Sequence, residues 1–433
     1  MNFDEIKEYL VDFQQKPFPF LVDRELKLPD THKIITIIGP RRSGKSYRLY
    51  QLMTDLIESG VSKENIIRLD FESPKLSDVR FTEVHEIIKL QWQLYPNSVQ
   101  KQMFVFVDEP QTMDNWEKAV RALNEEGFRV FVTGSSSKLL SQEIATALRG
   151  RTLSYLLLPF SFKEFLTLKQ FEGDLHKLSS KEKSVLMSLM DEYLEWGGYP
   201  EIALENTNEL KLKTISEYYD LVIFKDIVER FKIKNTKVIK WLIKSAITSC
   251  SKEFSIHKIY STLKSQGIKV SKNTLYEYTS LMEDVLFSFF LPKFKHSERK
   301  KELSINKLYL CDIAFSKLTE NSNGKGKKME NTVFLELKRR AAPITQISYW
   351  KNIQQEEVDF VIQEGPKLKQ LIQVSQNISE FETKKREIRA LLKASTELKC
   401  SNLLMITENA EATEKIKGKT IQYVPLWKWL LNN

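Results

Sequence analysis

Ile34-Ile35-Thr36-Ile37-Ile38-Gly39-Pro40-Arg41-Arg42-Ser43-Gly44-Lys45-Ser46 is the stretch from which the rest of the chain is read. An apolar strand runs into the spacing GxxxxGK[ST], and a helix is expected to begin near Lys45. Glycines let successive backbone N–H groups turn inward around phosphate oxygens. The start of the following helix adds partial positive charge to the same place. In such a loop the lysine reaches the β- and γ-phosphates and the hydroxyl after it ligates Mg²⁺. Gly39, Pro40, Arg41, Arg42, Ser43, Gly44, Lys45 and Ser46 are therefore the candidate nucleotide-binding residues, Ser46 also serving the metal.

Working outward, Phe104-Val105-Phe106-Val107-Asp108-Glu109 is an apolar strand ending in two acids. Lying in the same sheet, it delivers Asp108 near the metal and Glu109 near an attacking water. The strand Arg129–Thr133 ends in Thr133-Gly134-Ser135-Ser136. A polar residue there either contacts the γ-phosphate or its water, or the segment is an ordinary strand-ending turn rich in small polar residues. Arg149 and Arg151 follow as arginines that stabilise transferring phosphate, in one chain or across subunits, or simply face solvent. A strand over Asn65–Phe71 and a helix over Asn115–Asn124 complete an alternation that predicts a parallel sheet covered on both faces, the α/β class.

The phosphate loop, VFVDE, TGSSS, ATALRGRTLSYLLLPFSFKEFL and Trp196-Gly197-Gly198-Tyr199-Pro200-Glu201 occur in an order that resembles an AAA-type predicted ATPase family of archaea and bacteria. The resemblance runs over nearly the whole chain. It implies ATP rather than GTP, places Thr133 where the first sensor stands, and puts Arg151 in the family's Gly-Arg element. The Gly-Gly-x-Pro element resembles one through which signal-transducing ATPases link nucleotide state to the next domain. A tight interhelical turn is the plainer reading of it.

Residues 237–310 suggest a winged helix. Ser271 is an N-cap for a helix whose inward stripe is Leu275, Tyr278, Leu281, Met282 and Val285. Lys272, Asn273 and Tyr276 then face outward, toward a major groove. SFFLPKF and KLYLCD are the wing strands, with Lys295, Arg299 and Lys300 near the tip as phosphate contacts. Winged helices also serve as protein-contact modules, so double-stranded DNA and a protein partner both stay open.

After a linker-like ENSNGKGKK, the order helix, strands, helix, strand suggests a restriction-endonuclease-like core. Glu330, Asp359, Gln373 and Ser375 stand where active enzymes of that fold keep an acid, an aspartate and a Glu-x-Lys pair for divalent metal. A neutral glutamine and a serine replace the last two, so a degenerate site is expected.

The chain has 433 residues, 66 Lys+Arg against 57 Asp+Glu, a formal charge of +9, and 42% hydrophobic residues. That balance permits an anionic partner without demanding one. Three distant cysteines, Cys250, Cys311 and Cys400, form neither a zinc pattern nor a disulfide frame. No apolar run approaches the ~20 residues of a membrane span, so a cytoplasmic protein is expected. The expected architecture is a phosphate-loop NTPase parallel sheet (1–160), a helical lid (161–235), a winged-helix module (236–320) and an α/β nuclease-like C-terminal domain (328–433). The expected activity is Mg²⁺-dependent ATP hydrolysis, coupled to DNA or protein binding and open to homo-oligomerisation. The competing readings are a nucleotide-switched regulator or defence/antitoxin-type protein with little hydrolysis, and an ATP-gated metal nuclease.

Overall fold

Ile34–Ile38 (β1) buries all five of its residues, which requires a strand covered on both faces. A computed structural model describes residues 2–135, 148, 150–175, 177–295, 304–319 and 324–432. The chain divides into two units, Met1–Leu158 and Pro159–Asn433. In the first, β1 joins β2 (Ile66–Asp70), β3 (Phe104–Asp108), β4 (Arg129–Gly134) and β5 (Thr152–Leu156) in one parallel sheet. The strand order is β2-β3-β4-β1-β5. Among the described residues it is accompanied by α1 (Phe3–Gln15), α2 (Lys45–Glu58), α3 (Val84–Leu94) and α4 (Trp116–Glu125). Leu49 and Met53 of α2 pack with Ile35, Ile37, Phe106 and Phe131, the two phenylalanine rings stacked 4.7 Å apart. The order places β1 between β4 and β5, so the loop after β1 opens at the carboxyl edge of the sheet, where parallel sheets bind ligands.

The second unit begins with helices α5 (Phe162–Leu168), α6 (Ser180–Trp196), α7 (Pro200–Leu204) and α8 (Asn208–Leu221), followed by a π-helical segment Val222–Glu229. Reciprocal Ser161–Glu164 and Ser179–Glu182 capping boxes start α5 and α6. The Gly-Gly-Tyr-Pro element is a turn that only glycine can make. Gly197 has φ +77°, and a Cβ there would lie 1.7 Å from Asp312 Oδ1; one on Gly198 would lie 2.3 Å from the Phe160 carbonyl oxygen. Gly198 N–H donates to Asp312 at 2.8 Å, whose carboxyl is pushed up to about 6 by burial.

Next come α9 (Thr236–Thr248), β6 (Lys252–Glu253), α10 (Ile256–Ser265), α11 (Lys272–Asp284), β7 (Ser288–Leu291) and β8 (Lys307–Leu310). The strands form an antiparallel sheet, β6-β8-β7. Ser271 caps α11 as expected, accepting from Thr274 N–H. The strand read from SFFLPKF stops at Leu291, because Pro292 has no N–H for the ladder. The chain beyond it turns to another strand: Phe294 N–H donates to the Tyr349 carbonyl at 2.6 Å, and Tyr349 N–H to Pro292 at 3.1 Å.

The last segment holds α12 (Lys325–Arg340), β9 (Thr345–Lys351), β10 (Glu357–Glu364), β11 (Lys367–Ser375), α13 (Phe381–Leu398), β12 (Leu403–Thr407), β13 (Ala412–Ile416), β14 (Lys419–Pro425) and α14 (Leu426–Leu431). Its mixed sheet runs β13-β14-β12-β11-β10-β9. The expected linker is shorter than read, since α12 starts at Lys325, directly after Gly324. Among the described residues no helix is long and apolar enough to cross a membrane.

Candidate functional site

The turn from β1 into α2 is built as an anion cradle. Arg42 and Gly44 both have positive φ, 65° and 93°, an alternation that points successive N–H groups into one concavity. A Cβ on Gly39 would lie 2.1 Å from the Leu157 carbonyl oxygen, so residue 39 must be glycine for β5 to pass. The first turn of α2 has no side-chain cap, which leaves its N–H groups for a ligand. The Ser43 hydroxyl is buried without a hydrogen-bond partner among the described residues. A bound phosphate fits this donor set.

Lys45 is 5% exposed. Its ammonium pairs with Glu109 at 3.1 Å and donates to the carbonyls of Gly39 at 3.2 Å and Pro40 at 3.1 Å. Glu109 follows β3 in a left-handed conformation, φ 50°. Ser135 donates to it through both N–H and hydroxyl, each at 3.1 Å, and Gln111 donates from its side-chain amide. Burial alone would raise the Glu109 carboxyl, but Lys45 and Gln111 override it and hold the group at about 2. Thr133, fully buried at the end of β4, donates to Asp108 and accepts from Glu109 N–H at 3.4 Å. Lys45, Asp108, Glu109 and Thr133 are thus brought together at the carboxyl edge of one sheet, with Ser46 half-buried in the first turn of α2.

Two contacts here were not legible in the sequence. Arg68 of β2 donates to Asp108 at 2.6 Å and to Asp70 at 2.9 Å, so both Asp108 oxygens are engaged. The only sequence signal is a charged residue inside the strand run NIIRLDF. Ser135 is the second, lying in the TGSSS turn where only Thr133 was singled out.

Arg41, within the loop itself, pairs with Glu72 at 3.0 Å. Of the two readings of Arg151, the strand register goes against the one within a single chain. Arg151 precedes Thr152, which pairs with Ile34, whereas the phosphate loop follows Ile38 at the other end of β1. Arg151 pairs with Glu125, and within one chain it stands at the edge opposite the cradle. Ser136 and Arg149 lie outside the described residues.

In the second unit Glu330 and Asp359 do converge, but on a lysine absent from the sequence reading. Lys307, 1% exposed, meets Glu330 at 2.8 Å, Glu357 at 2.6 Å and Asp359 at 2.9 Å. Burial would depress its ammonium; Glu330, Tyr309, Asp359 and Glu357 instead hold it well above the usual lysine range. Lys327 adds a second cation to Glu330 at 2.8 Å, and Tyr309 a hydroxyl at 2.8 Å. Asp359 is pushed up to about 7, by burial first and by Glu330 next. Gln373 is not aimed at a metal. Its carbonyl accepts Asp359 N–H at 3.3 Å and its amide donates to Glu387 at 2.7 Å. Ser375 lines the adjoining cavity of about 750 Å³ with Lys327, Gln373 and Arg386. Among the described residues no group of three or more acidic, histidine or cysteine side chains is arranged for a metal.

On α11 the outward residues are where the pattern put them. Asn273 and Tyr276 are exposed and Lys272 partly so, 3.0 Å from His257 Nδ1. Lys295 is exposed; Arg299 and Lys300 lie outside the described residues.

The comparisons agree with the sheet and its loop. Residues 31–166 match the family described as "AAA domain", and residues 187–322 and 325–429 match two domains of unknown function, DUF8612 and DUF4143. An uncharacterized protein of Methanocaldococcus jannaschii is 39% identical over 94% of this chain and 90% of its own length. One of Haemophilus influenzae is 30% identical over 93% and 96%. Among solved structures, a DNA polymerase III gamma-subunit-related protein of Thermotoga maritima has TM-score 0.27 at 16% identity, covering 58% of this chain and 95% of that one. AMPPCP-bound DnaA of Aquifex aeolicus has TM-score 0.24 at 13% identity, covering 64% and 85%. Likenesses that low carry no argument; the near full-length identities do. The chain belongs to the AAA-type predicted ATPase family of archaea and bacteria, in which an AAA domain precedes two domains of unknown function.

Proposed function

We propose that this protein is a Mg²⁺-dependent ATPase whose nucleotide state governs binding of duplex DNA or a protein through its second unit. The observation that carries the reading is the Lys45–Glu109 pair, set among Thr133, Ser135 and the uncapped start of α2. The loop amides and Lys45 hold the phosphates. As Lys45 turns from Glu109 to the phosphates, the carboxylate is released to orient a water for attack. Glu109 stays anionic at neutral pH, so it accepts a hydrogen bond from that water without first losing a proton. Thr133 fixes the Asp108 carboxylate. Magnesium, when bound, offsets charge on the transferring phosphate, with Ser46 and Asp108 as its nearest candidate holders. An Arg151 contributed by a neighbouring copy remains compatible with its exposed position.

In the second unit, residues 236–320 are read as a winged helix presenting Lys272, Asn273, Tyr276 and Lys295, and residues 328–433 as a degenerate nuclease-like domain used for binding. The Arg68–Asp108 pair at 2.6 Å favours one alternative. It competes with a metal for Asp108, as suits a nucleotide-switched regulator with slow turnover.

The test is steady-state ATP hydrolysis with Mg²⁺, with and without duplex DNA, for the intact protein, Lys45→Ala and Glu109→Gln. Turnover lost in both variants supports the ATPase, and stimulation by DNA supports the nucleic-acid module. Tight ATP binding with no turnover leaves the switch.

A further inference from the structure

The segment before β1 carries an arginine that binds the backbone of the phosphate loop. Asp23 and Arg24 are docked on α2: Gln51 accepts Arg24 N–H at 3.3 Å and donates to Asp23 at 3.0 Å. One turn nearer the phosphate loop, Arg48 donates to the Leu26 carbonyl at 3.1 Å. So held, the guanidinium of Arg24 forks. One nitrogen donates to the Ser43 carbonyl at 2.9 Å, the other to the Leu158 carbonyl at 2.6 Å.

Each contact has a consequence set by peptide geometry. In a trans peptide the carbonyl and the following N–H point in opposite directions. Fixing the Ser43 oxygen on Arg24 therefore turns the Gly44 N–H the other way, away from Arg24. Gly44 is free to be flipped, because its positive φ lies in a region glycine enters and leaves without cost. Leu158 is the last residue of the first unit. Its neighbour Leu157 both donates to Ile38 at 2.6 Å and presses its carbonyl on Gly39. The fork thus fastens the two ends of the loop, Gly39 and Ser43–Gly44, to a single strand end.

We propose that Arg24 is a positioning residue for nucleotide binding, which sets the Gly44 amide toward the phosphates by bridging the Ser43 and Leu158 carbonyls. The proposal rests on the nucleotide-binding reading of the loop. It predicts an effect on phosphate binding in ground and transition states alike, hence on affinity rather than on kcat. Lysine cannot replace it, since a point ammonium lacks the planar fork that spans two fixed carbonyls.

The experiment measures the ATP and ADP dissociation constants by calorimetry, kcat, and the melting temperature without nucleotide, for the intact protein, Arg24→Ala, Arg24→Lys and Gln51→Ala. Hydrogen bonds to a charged group set the scale, roughly a 10- to 100-fold weaker Kd for both nucleotides in Arg24→Ala. Arg24→Lys is expected to recover the melting temperature but not the Kd, with kcat within a few-fold throughout. Gln51→Ala, which keeps the fork but loosens its support, falls between. A Kd within twofold of the intact protein in either Arg24 variant that stays folded overturns the proposal. So does a loss confined to melting temperature and kcat. If the intact protein itself binds no ATP, the functional reading fails first, and that outcome is told apart by the intact protein alone.

Discussion

Lys45 in the first unit and Lys307 in the second are both buried against carboxylates, and the two are satisfied in different ways. An ammonium has three protons to place. Lys45 gives one to a carboxylate, Glu109, and the others to neutral carbonyls of its own loop. Lys307 gives its protons to three carboxylates, Glu330, Glu357 and Asp359. A phosphate can outbid two neutral carbonyls and one carboxylate that Ser135 and Gln111 already hold. Lys307 is the more fully paired of the two, although Glu330, Glu357 and Asp359 also line the adjoining cavity. The first arrangement leaves a lysine that an anion can draw away; in the second the acids are already neutralised by the chain's own cation.

The widest separation between the two comes from removing a charge at each. Glu109→Gln keeps the shape and its hydrogen bonds to Ser135 but cannot activate water. Turnover should fall by about 10²–10⁴-fold, the range for a lost general base. ATP affinity should hold or improve, because Lys45 loses its competitor. Single-turnover hydrolysis with parallel calorimetry checks both. Weaker ATP binding in this variant would break the comparison, by showing that Glu109 supports the lysine rather than competing for it.

Lys307→Met should behave oppositely. It leaves Glu330 and Asp359 without their shared cation, and breaking a buried pair from one side costs ~3–5 kcal/mol. Chemical denaturation should show that loss, while the ATP dissociation constant moves little. A small stability change would mean that the acids simply take up protons and do not depend on Lys307.

What was readable in the sequence follows the same division. Gly39–Ser46 and Asp108–Glu109 are contiguous, and a strand entering a loop entering a helix fixes their geometry locally. Lys307 opens KLYLCD, and nothing local in the sequence marks its role. The alternation that puts Tyr309 inward puts Lys307 inward too, yet its partners are 23 to 52 residues away. Arg24 and Arg68 likewise act through contacts 134 and 40 residues apart. β13 was missed because Ala412–Ile416 is a polar edge strand with little apolar signal. Motif order carries no strand register, so the edge of the sheet at which Arg151 stands was not readable.

Acidity sharpens the comparison more gently. Glu109 is held at about 2, below its unfolded value near 4.3. Its stabilising contribution is present above that value and is lost only as pH falls from about 4 toward 2. Asp359 is raised to about 7, so between roughly pH 4 and 7 the folded state keeps a proton that the unfolded state sheds. Its contribution therefore declines as pH rises through that window. Denaturation midpoints from pH 4.5 to 8 should slope downward from this term, and Asp359→Asn should flatten the slope. Glu109→Gln should leave it unchanged.

The smallest expected effect is none. Gln373→Glu with Ser375→Lys installs a Glu-x-Lys pair of the kind active nucleases use, and the double variant should still not cleave plasmid DNA in Mg²⁺ or Mn²⁺. Lys307 keeps Glu330 and Asp359 neutralised, and Val374 N–H donates to the other Asp359 oxygen at 3.0 Å. The carboxylate introduced by Gln373→Glu would also face Glu387, which now accepts from the Gln373 amide, so like charges replace a hydrogen bond. Metal-dependent cleavage by this double variant would show that a divalent ion can expel the lysine. The acids around Lys307 would then be a second exchangeable site like the one at Lys45, and the distinction between the two lysines would collapse.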